Sequence, residues 1–234
     1  MKSTVEQIRH RFDSDVERFS NLETGQTSTV DAALAMSLIG QAAAVTNPQA
    51  THLLDVGCGA GNYALTLLKW LPDMDVTLVD LSLPMLHRAV ERVGAATTGQ
   101  VMPIQSDMRA LSFDAEQFDI VFAASTLHHL RGDDEWHAVF EHFYRALKPG
   151  GSFWIFDLIE QSTSAIQTLM WQRYGEYLTG FRDEAYRDHV FGYIAEEDTP
   201  RPLLFQIDLL RKVGFCKVEI LHKNGCFAAF GGIK

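Results

Sequence analysis

Apolar and polar positions along this chain follow two periods. Short apolar runs bounded by turn residues occur at His52–Val56, Val76–Asp80, Val101–Gln105, Phe118–Ser125 and Ser152–Asp157, and they have the length of buried strands. Helical periodicity fills the gaps over Asn62–Leu71, Pro84–Val93 and Asp133–Leu147. The first helix is stopped before Pro72, the second takes Ser82 as its cap with Pro84 in its first turn, and the third ends at "KPGG". Strands alternating with helices predict right-handed crossovers and a mostly parallel, doubly wound α/β sheet.

The flanks read differently. Residues 3–18 predict a charged amphipathic helix and Val30–Val45 an apolar, alanine-rich one, separated by the polar segment Phe19–Ser28, which is expected to move. Pro48 breaks the chain before the first strand. Thr163–Glu197 is helical and rich in aromatic residues, and Pro202–Val213 predicts a helix closed by Gly214. Trp171, Tyr174 and Tyr177 form one helical stripe, which favours core or dimer contact over a substrate box. Two final β-like runs flank Asn224-Gly225, which predicts a hairpin with a type I′ turn.

Composition narrows the function. A 234-residue chain that is 47% hydrophobic predicts one α/β domain with additions. Its apolar runs fall short of a membrane span, and the charged N-terminal stretch lacks the apolar core of a secretory signal, so a cytoplasmic location is expected. Cys58, Cys216 and Cys226 show no paired spacing, which suggests neither a disulfide framework nor zinc. His137 and His142 stand at the wrong spacing for one helix face, so no metal site is expected there either. The net charge is −10 and Lys/Arg clusters are no longer than pairs. Nucleic acid is therefore disfavoured as a partner, and a cationic ligand suits the surface better.

The candidate chemistry sits in "HLLDVGCGAGNYA". Gly57, Gly59 and Gly61 give G-x-G-x-G, whereas a dinucleotide fingerprint wants glycine where Asn62 stands, and no G-K-[ST] follows for a P-loop. Asp55, two residues before the first glycine, is unfavourable beside a pyrophosphate and suitable beside an ammonium. Asp80 closes the next strand, where a carboxylate can accept ribose hydroxyls, and Asp107 follows the third, within reach of a purine amino group. Three carboxylates at successive strand ends describe a ligand with an amine, a ribose and an adenine. Against this stand plainer readings: the glycines permit close packing, Asp107 caps a turn, and Cys58 is small because backbone approaches ligand there.

LLDVGCGAG (53–61), TLVDLS (77–82), QSDM (105–108), FDIVFAASTLHHL (118–130) and LKPGGSFWIFD (147–157) together resemble the class I S-adenosylmethionine (SAM)-dependent methyltransferases. The resemblance implies a Rossmann-like seven-stranded sheet with an antiparallel last strand, N-terminal helices and a helical insert before the sixth strand. It implies SAM as cofactor. Asp55, Gly57, Cys58, Gly59 and Asn62 would lie at the methionine end, Asp80 and Leu81 at the ribose, Asp107 and Met108 at the adenine, and Ala124 and Ser125 at the base of the cleft. The chain then divides into an N-terminal helical lid (1–50), a SAM-binding core (51–160), a helical substrate or dimer insert (161–213) and a C-terminal hairpin (214–234).

Over nearly its whole length the chain also resembles the carboxy-SAM synthase group, through RFDSDVERF and the ending LLRKVGFCKVEILHKNGCFAAFGGIK. In that group an arginine before the Gly-Phe pair reads an extra carboxylate. Leu209 occupies that position here, and Arg211 lies about 200° round the helix. Ordinary methyl transfer to a small molecule is therefore the leading expectation. A SAM-modifying enzyme of tRNA wobble-uridine modification and a non-catalytic SAM-binding partner protein are the alternatives.

Methyl transfer depends chiefly on in-line positioning. The catalytic candidates are His128 and His129 after the fourth strand and Asp157 at the end of the fifth, with loop-fixing as the plainer role for the histidines. The expected partners are a small-molecule acceptor and, through the aromatic insert or the final strand, a second copy of the chain.

Overall fold

The computed structural model describes residues 2–21 and 26–234. Strands β1 (His52–Val56), β2 (Asp75–Asp80), β3 (Val101–Gln105), β4 (Phe118–Ala124), β5 (Leu147–Leu158), β6 (Lys217–Asn224) and β7 (Phe227–Ile233) form one sheet in the order β3-β2-β1-β4-β5-β7-β6. β7 runs antiparallel to both β5 and β6, and the pairs from β3 across to β5 are parallel. This is the doubly wound α/β sheet that the residue pattern predicts, with the seven strands and antiparallel last strand that the resemblance implies. Chain order runs outward from β1 to β3 on one side and from β4 to β5 on the other, with β7 inserted before β6. That topological switch opens a crevice at the C-terminal ends of β1 and β4.

Successive strand residues feed opposite cores, as a period of two requires. Leu53, Ile120, Phe122 and Phe156 pack under α3 (Ala32–Thr46), α4 (Asn62–Leu68) and α5 (Leu83–Gly94), whereas Leu54, Val121, Phe153 and Ile155 pack under α6 (Asp133–Ala146) and α9 (Leu203–Val213). The aromatic insert forms α7 (Ser164–Phe181) and α8 (Glu184–Glu197), whose Tyr174, Leu178, Val190 and Ile194 join the first core. At the open edge, β3 carries Pro103, tolerated because it pairs on one side only, with Leu78 of β2. Among the described residues no helix is long and apolar enough to cross a membrane.

Several boundaries depart from expectation. The helix over 3–18 is two helices, α1 (Val5–Asp13) and α2 (Val16–Ser20), parted where the amides of Ser14 and Asp15 turn back to the carbonyls of Arg11 and Phe12. The segment expected to move lies partly outside the described residues. β5 begins five residues early, because Leu147 already pairs with Phe118 and "KPGG" forms an irregular start to the strand. In the hairpin, Asn224 pairs with Phe227, so the two-residue loop is Gly225-Cys226. Positive φ falls only on Gly225, the pattern of a type II′ turn.

Candidate active site

The glycine loop leaves β1 and enters α4 with Gly57, Gly59 and Gly61 all at positive φ. The amide of Cys58 donates to the Val79 carbonyl at 2.9 Å, tying the loop to β2. The glycines differ in purpose. A Cβ on Gly57 would stand 2.4 Å from Thr126 Oγ1, and one on Gly61 would stand 2.8 Å from Val93, so both permit close packing. A Cβ on Gly59 would meet nothing within 4 Å. Gly59 is required for its backbone conformation, on the wall of a cleft of ≈ 960 Å³.

That cleft brings together most of the residues expected from sequence: Gly57, Cys58, Gly59, Asn62, Asp80, Leu81, Asp107, Met108, Ala124, Ser125 and His129. Asp80 accepts from the Gly59 amide and from the Ser82 amide, both at 2.8 Å. Burial pushes its carboxyl up to about 6 against these hydrogen bonds. Asp55 is placed behind the cleft wall, 1% exposed. Burial pushes it up to about 7, opposed by a hydrogen bond from the Ala64 amide, and its Oδ2 has no partner. Asp107 takes its plainer role as well: it accepts from the Arg109 amide at 2.9 Å and pairs with the Arg109 guanidinium at 2.6 Å, capping a 3-10 turn at Met108–Ala110. Burial raises the thiol of Cys58 well above its usual range, with Asp80 and Asp55 adding to it, which leaves no thiolate nucleophile.

A second cavity of ≈ 640 Å³ adjoins the first on its insert side, between the N-terminal helices and the aromatic insert. Ser125 lies on both walls and has φ 53°, an uncommon conformation for a residue with a side chain. Phe12, Phe19 and Gln26 are also shared. Tyr174 and Tyr193 line the inner cavity, and Tyr174 Oη donates to the Ser28 carbonyl at 2.7 Å. The Trp171–Tyr177 stripe is therefore mostly packing, with one ring on the cavity wall.

The three catalytic candidates meet at this boundary. Asp157 is fully buried and off both cavity walls; it accepts from the His128 amide at 3.2 Å, from the Leu158 amide at 2.7 Å and from the His128 imidazole through Nδ1. Asp157 is thus a positioning residue. Burial works against the His128 imidazolium, but Asp157 and Asp198 outweigh it and hold His128 up to about 9. Burial, with the charge of His128 beside it, lowers His129, which lines the first cleft and turns Nδ1 toward Asp198 at 3.3 Å.

Sequence reasoning placed a helical segment over the site but missed Asp198 and the individual residues of α1 that line the cleft. Val5, Ile8 and Phe12 of α1 project onto the outer cleft, a spacing the amphipathic pattern over 3–18 carries. Asn62 Nδ2 donates to the Phe19 carbonyl at 2.9 Å, and Arg11 forks onto Glu197 at 2.6–2.9 Å. The N-terminal helices are thereby fixed to both the loop and the insert.

Residues 53–151 match a family described as "Methyltransferase domain". A demethylmenaquinone methyltransferase of Roseiflexus castenholzii is 30% identical over 105 residues, which cover 45% of this chain and 42% of that protein. A malonyl-[acyl-carrier protein] O-methyltransferase of Priestia megaterium is 31% identical over 145 residues, covering 62% and 48%. The matched segments thus span less than half the length of these curated relatives. The solved structure of phosphoethanolamine N-methyltransferase 2 of Haemonchus contortus in complex with S-adenosyl-L-methionine aligns with a TM-score of 0.53 and 26% identity, over 77% of this chain and 37% of that one.

Proposed function

We propose that the chain is a class I SAM-dependent methyltransferase that transfers the methyl group of SAM to a small-molecule acceptor seated in the inner cavity. One observation carries the reading: two cavities with a common boundary at Ser125, the outer one walled by a glycine loop and Asp80, the inner one by aromatic rings and His128. A donor and an acceptor placed in them would meet there.

The residues present fit the donor. Asp80 keeps lone pairs for two ribose hydroxyls after serving two amides. Oδ2 of Asp55 is a buried acceptor without a partner, the condition an ammonium on the Gly57–Gly59 loop would relieve. Met108 and Leu81 supply apolar contact for a purine, and Asp107, though paired with Arg109, keeps acceptor capacity at its edge. When bound, SAM supplies an electrophilic methyl whose S–CH₃ bond breaks as the acceptor heteroatom bonds to carbon, the electron pair staying on sulfur to leave S-adenosylhomocysteine.

The chain's contribution is orientation and exclusion of water. Phe12 and Phe19 roof the boundary, Ser125 narrows it, and His128, held by Asp157, gives with His129 the wall against which the acceptor is aimed. Holding the reacting atoms about 3–3.5 Å apart is worth several powers of ten in rate without a side chain entering the chemistry. A SAM-modifying role like that of the carboxy-SAM synthases has less support, because Arg211 is exposed and paired with Asp208 at 3.4 Å. The curated relatives, named for quinone and acyl-carrier substrates, support a small-molecule or carrier-bound acceptor without choosing one.

The test is incubation of the protein with CD₃-labelled SAM and a small-molecule extract, followed by mass spectrometry. Labelled product together with S-adenosylhomocysteine is expected. Binding of the donor with no label transferred to any compound would instead make the chain a non-catalytic SAM binder.

A further inference from the structure

Asp198, just past the end of α8, closes onto the two histidines that follow β4. His129 Nδ1 lies 3.3 Å and His128 Nε2 3.7 Å from Asp198 Oδ1, and one donor atom from each of the three residues falls within 4.8 Å of the others. We infer that His128, His129 and Asp198 form a binding site for a borderline divalent cation of the zinc type, at the boundary between the two cavities.

Three independent features support the site. Its donor atoms are buried and, among the described residues, face only one another: both ring nitrogens of His129 and Oδ1 of Asp198 find no hydrogen-bond partner outside the cluster. Burying such groups without full hydrogen bonding is unfavourable, and a ligand would recover that cost. The spacing is close to that of a metal polyhedron, since bonds near 2.0–2.1 Å in tetrahedral geometry put neighbouring donors about 3.4 Å apart. A supporting shell is also in place. His128 uses Nδ1 toward the buried Asp157, the arrangement by which a carboxylate orients a ligating imidazole and frees its Nε2 for the ion.

Charge points the same way. Asp157 and Asp198 are both buried, while Arg11 is committed to Glu197 in a forked pair and Lys2 donates to the Ala195 and Asp198 carbonyls. The ion would take the place of the proton that His128 otherwise carries between Asp157 and Asp198, and its charge would balance the two carboxylates. Two histidines and one carboxylate leave a coordination position open, the donor set of catalytic zinc or iron(II) sites. On the proposed reading of the inner cavity, an acceptor oxygen would take that position, which narrows the acceptor to compounds with a hydroxyl or carboxylate beside the methylated atom.

The test uses the whole chain, stripped with chelator and titrated with Co²⁺ while visible absorption and bound cobalt are measured. One equivalent per chain is expected, with an intense tetrahedral-type band that Zn²⁺ abolishes. His129→Ala and Asp198→Asn should each weaken Co²⁺ at least tenfold, Asp157→Asn should do so by roughly 10–100-fold, and His137→Ala, on an exposed helix face, should leave it unchanged. Should the variants fail to fold, Co²⁺ must broaden the imidazole NMR signals of His128 and His129 in the unaltered protein. Sub-stoichiometric cobalt, undiminished binding in folded variants, or unbroadened signals would overturn the site and leave an ion-pair network. The thermal shift with S-adenosylhomocysteine, read in parallel, reports the donor cleft separately, so loss of the metal reading leaves the methyltransferase reading intact.

Discussion

Asp55 offers a prediction in which stability and ligand binding move in opposite directions. Its carboxyl, at about 7 in the folded chain against 3.8 when unfolded, binds its proton more tightly in the native state. The stability this contributes is full below the unfolded value and lost as pH rises through about 7, so at pH 8 the unliganded protein carries a buried charge that works against it. The shift of about three units corresponds to roughly 4 kcal/mol. Asp55→Asn removes the charge and keeps the shape, leaving an amide oxygen as a weaker acceptor for the Ala64 amide. A net gain of about 2–3 kcal/mol at pH 8 is expected, a rise of roughly 5–10 °C in a melt for a chain this size. The same variant should lose most of the stabilisation given by S-adenosylhomocysteine, because an amide cannot answer an ammonium.

In the unaltered protein, donor binding should tighten with pH. The ionised fraction of Asp55 rises from about 0.1 at pH 6 to about 0.9 at pH 8, an affinity gain of roughly tenfold if only the carboxylate binds. Asp55→Asn should flatten that dependence. Differential scanning fluorimetry across pH 6–8, with and without ligand, reads both effects. A variant less stable than its parent at pH 8 that retains the full ligand shift would refute the reasoning, and Asp55 would be a structural carboxylate.

Other outcomes follow from the packing of the loop, the lid and the core. Gly57→Ala drives a Cβ into Thr126 at positive φ and should destabilise the fold by about 2–4 kcal/mol, measurable by urea titration. Asn62→Ala removes the bond to the Phe19 carbonyl and the 2.8 Å contact from Arg92, and should speed donor release several-fold in stopped-flow while leaving the urea midpoint within about 1 kcal/mol. Phe153→Ala opens a cavity between β5 and α6, where Phe140, Phe143 and Phe215 pack on the ring, and should cost about 3–5 kcal/mol.

The fold and half of the site were legible because their signals are local. A five-residue apolar run such as His52–Val56, a Ser82 that caps α5 through the Met85 amide, and a proline on the edge strand each state their structure within a few positions. The cleft residues followed because each stands at a strand end, and strand ends converge in a doubly wound sheet. What escaped depends on distant partners. Asp198 meets His128 and His129 across about seventy residues of sequence, and Glu197 meets Arg11 across still more; neither pairing leaves a periodic trace. The retreat of Asp55 behind the wall and the capture of Asp107 by Arg109 were likewise invisible, since a motif gives the position of a side chain along a strand and not its depth or its competitors. Asp80 has the same lesson: its place at a strand end points to ribose hydroxyls, whereas two backbone amides also depend on it.

The most direct measurement of the central claim is isothermal calorimetry of the whole chain with S-adenosylhomocysteine and, in a parallel titration, NAD⁺. One site for the adenosyl ligand, lost in Asp80→Asn, with no heat from the dinucleotide is predicted. Saturable binding of NAD⁺ with none of S-adenosylhomocysteine would contradict the account.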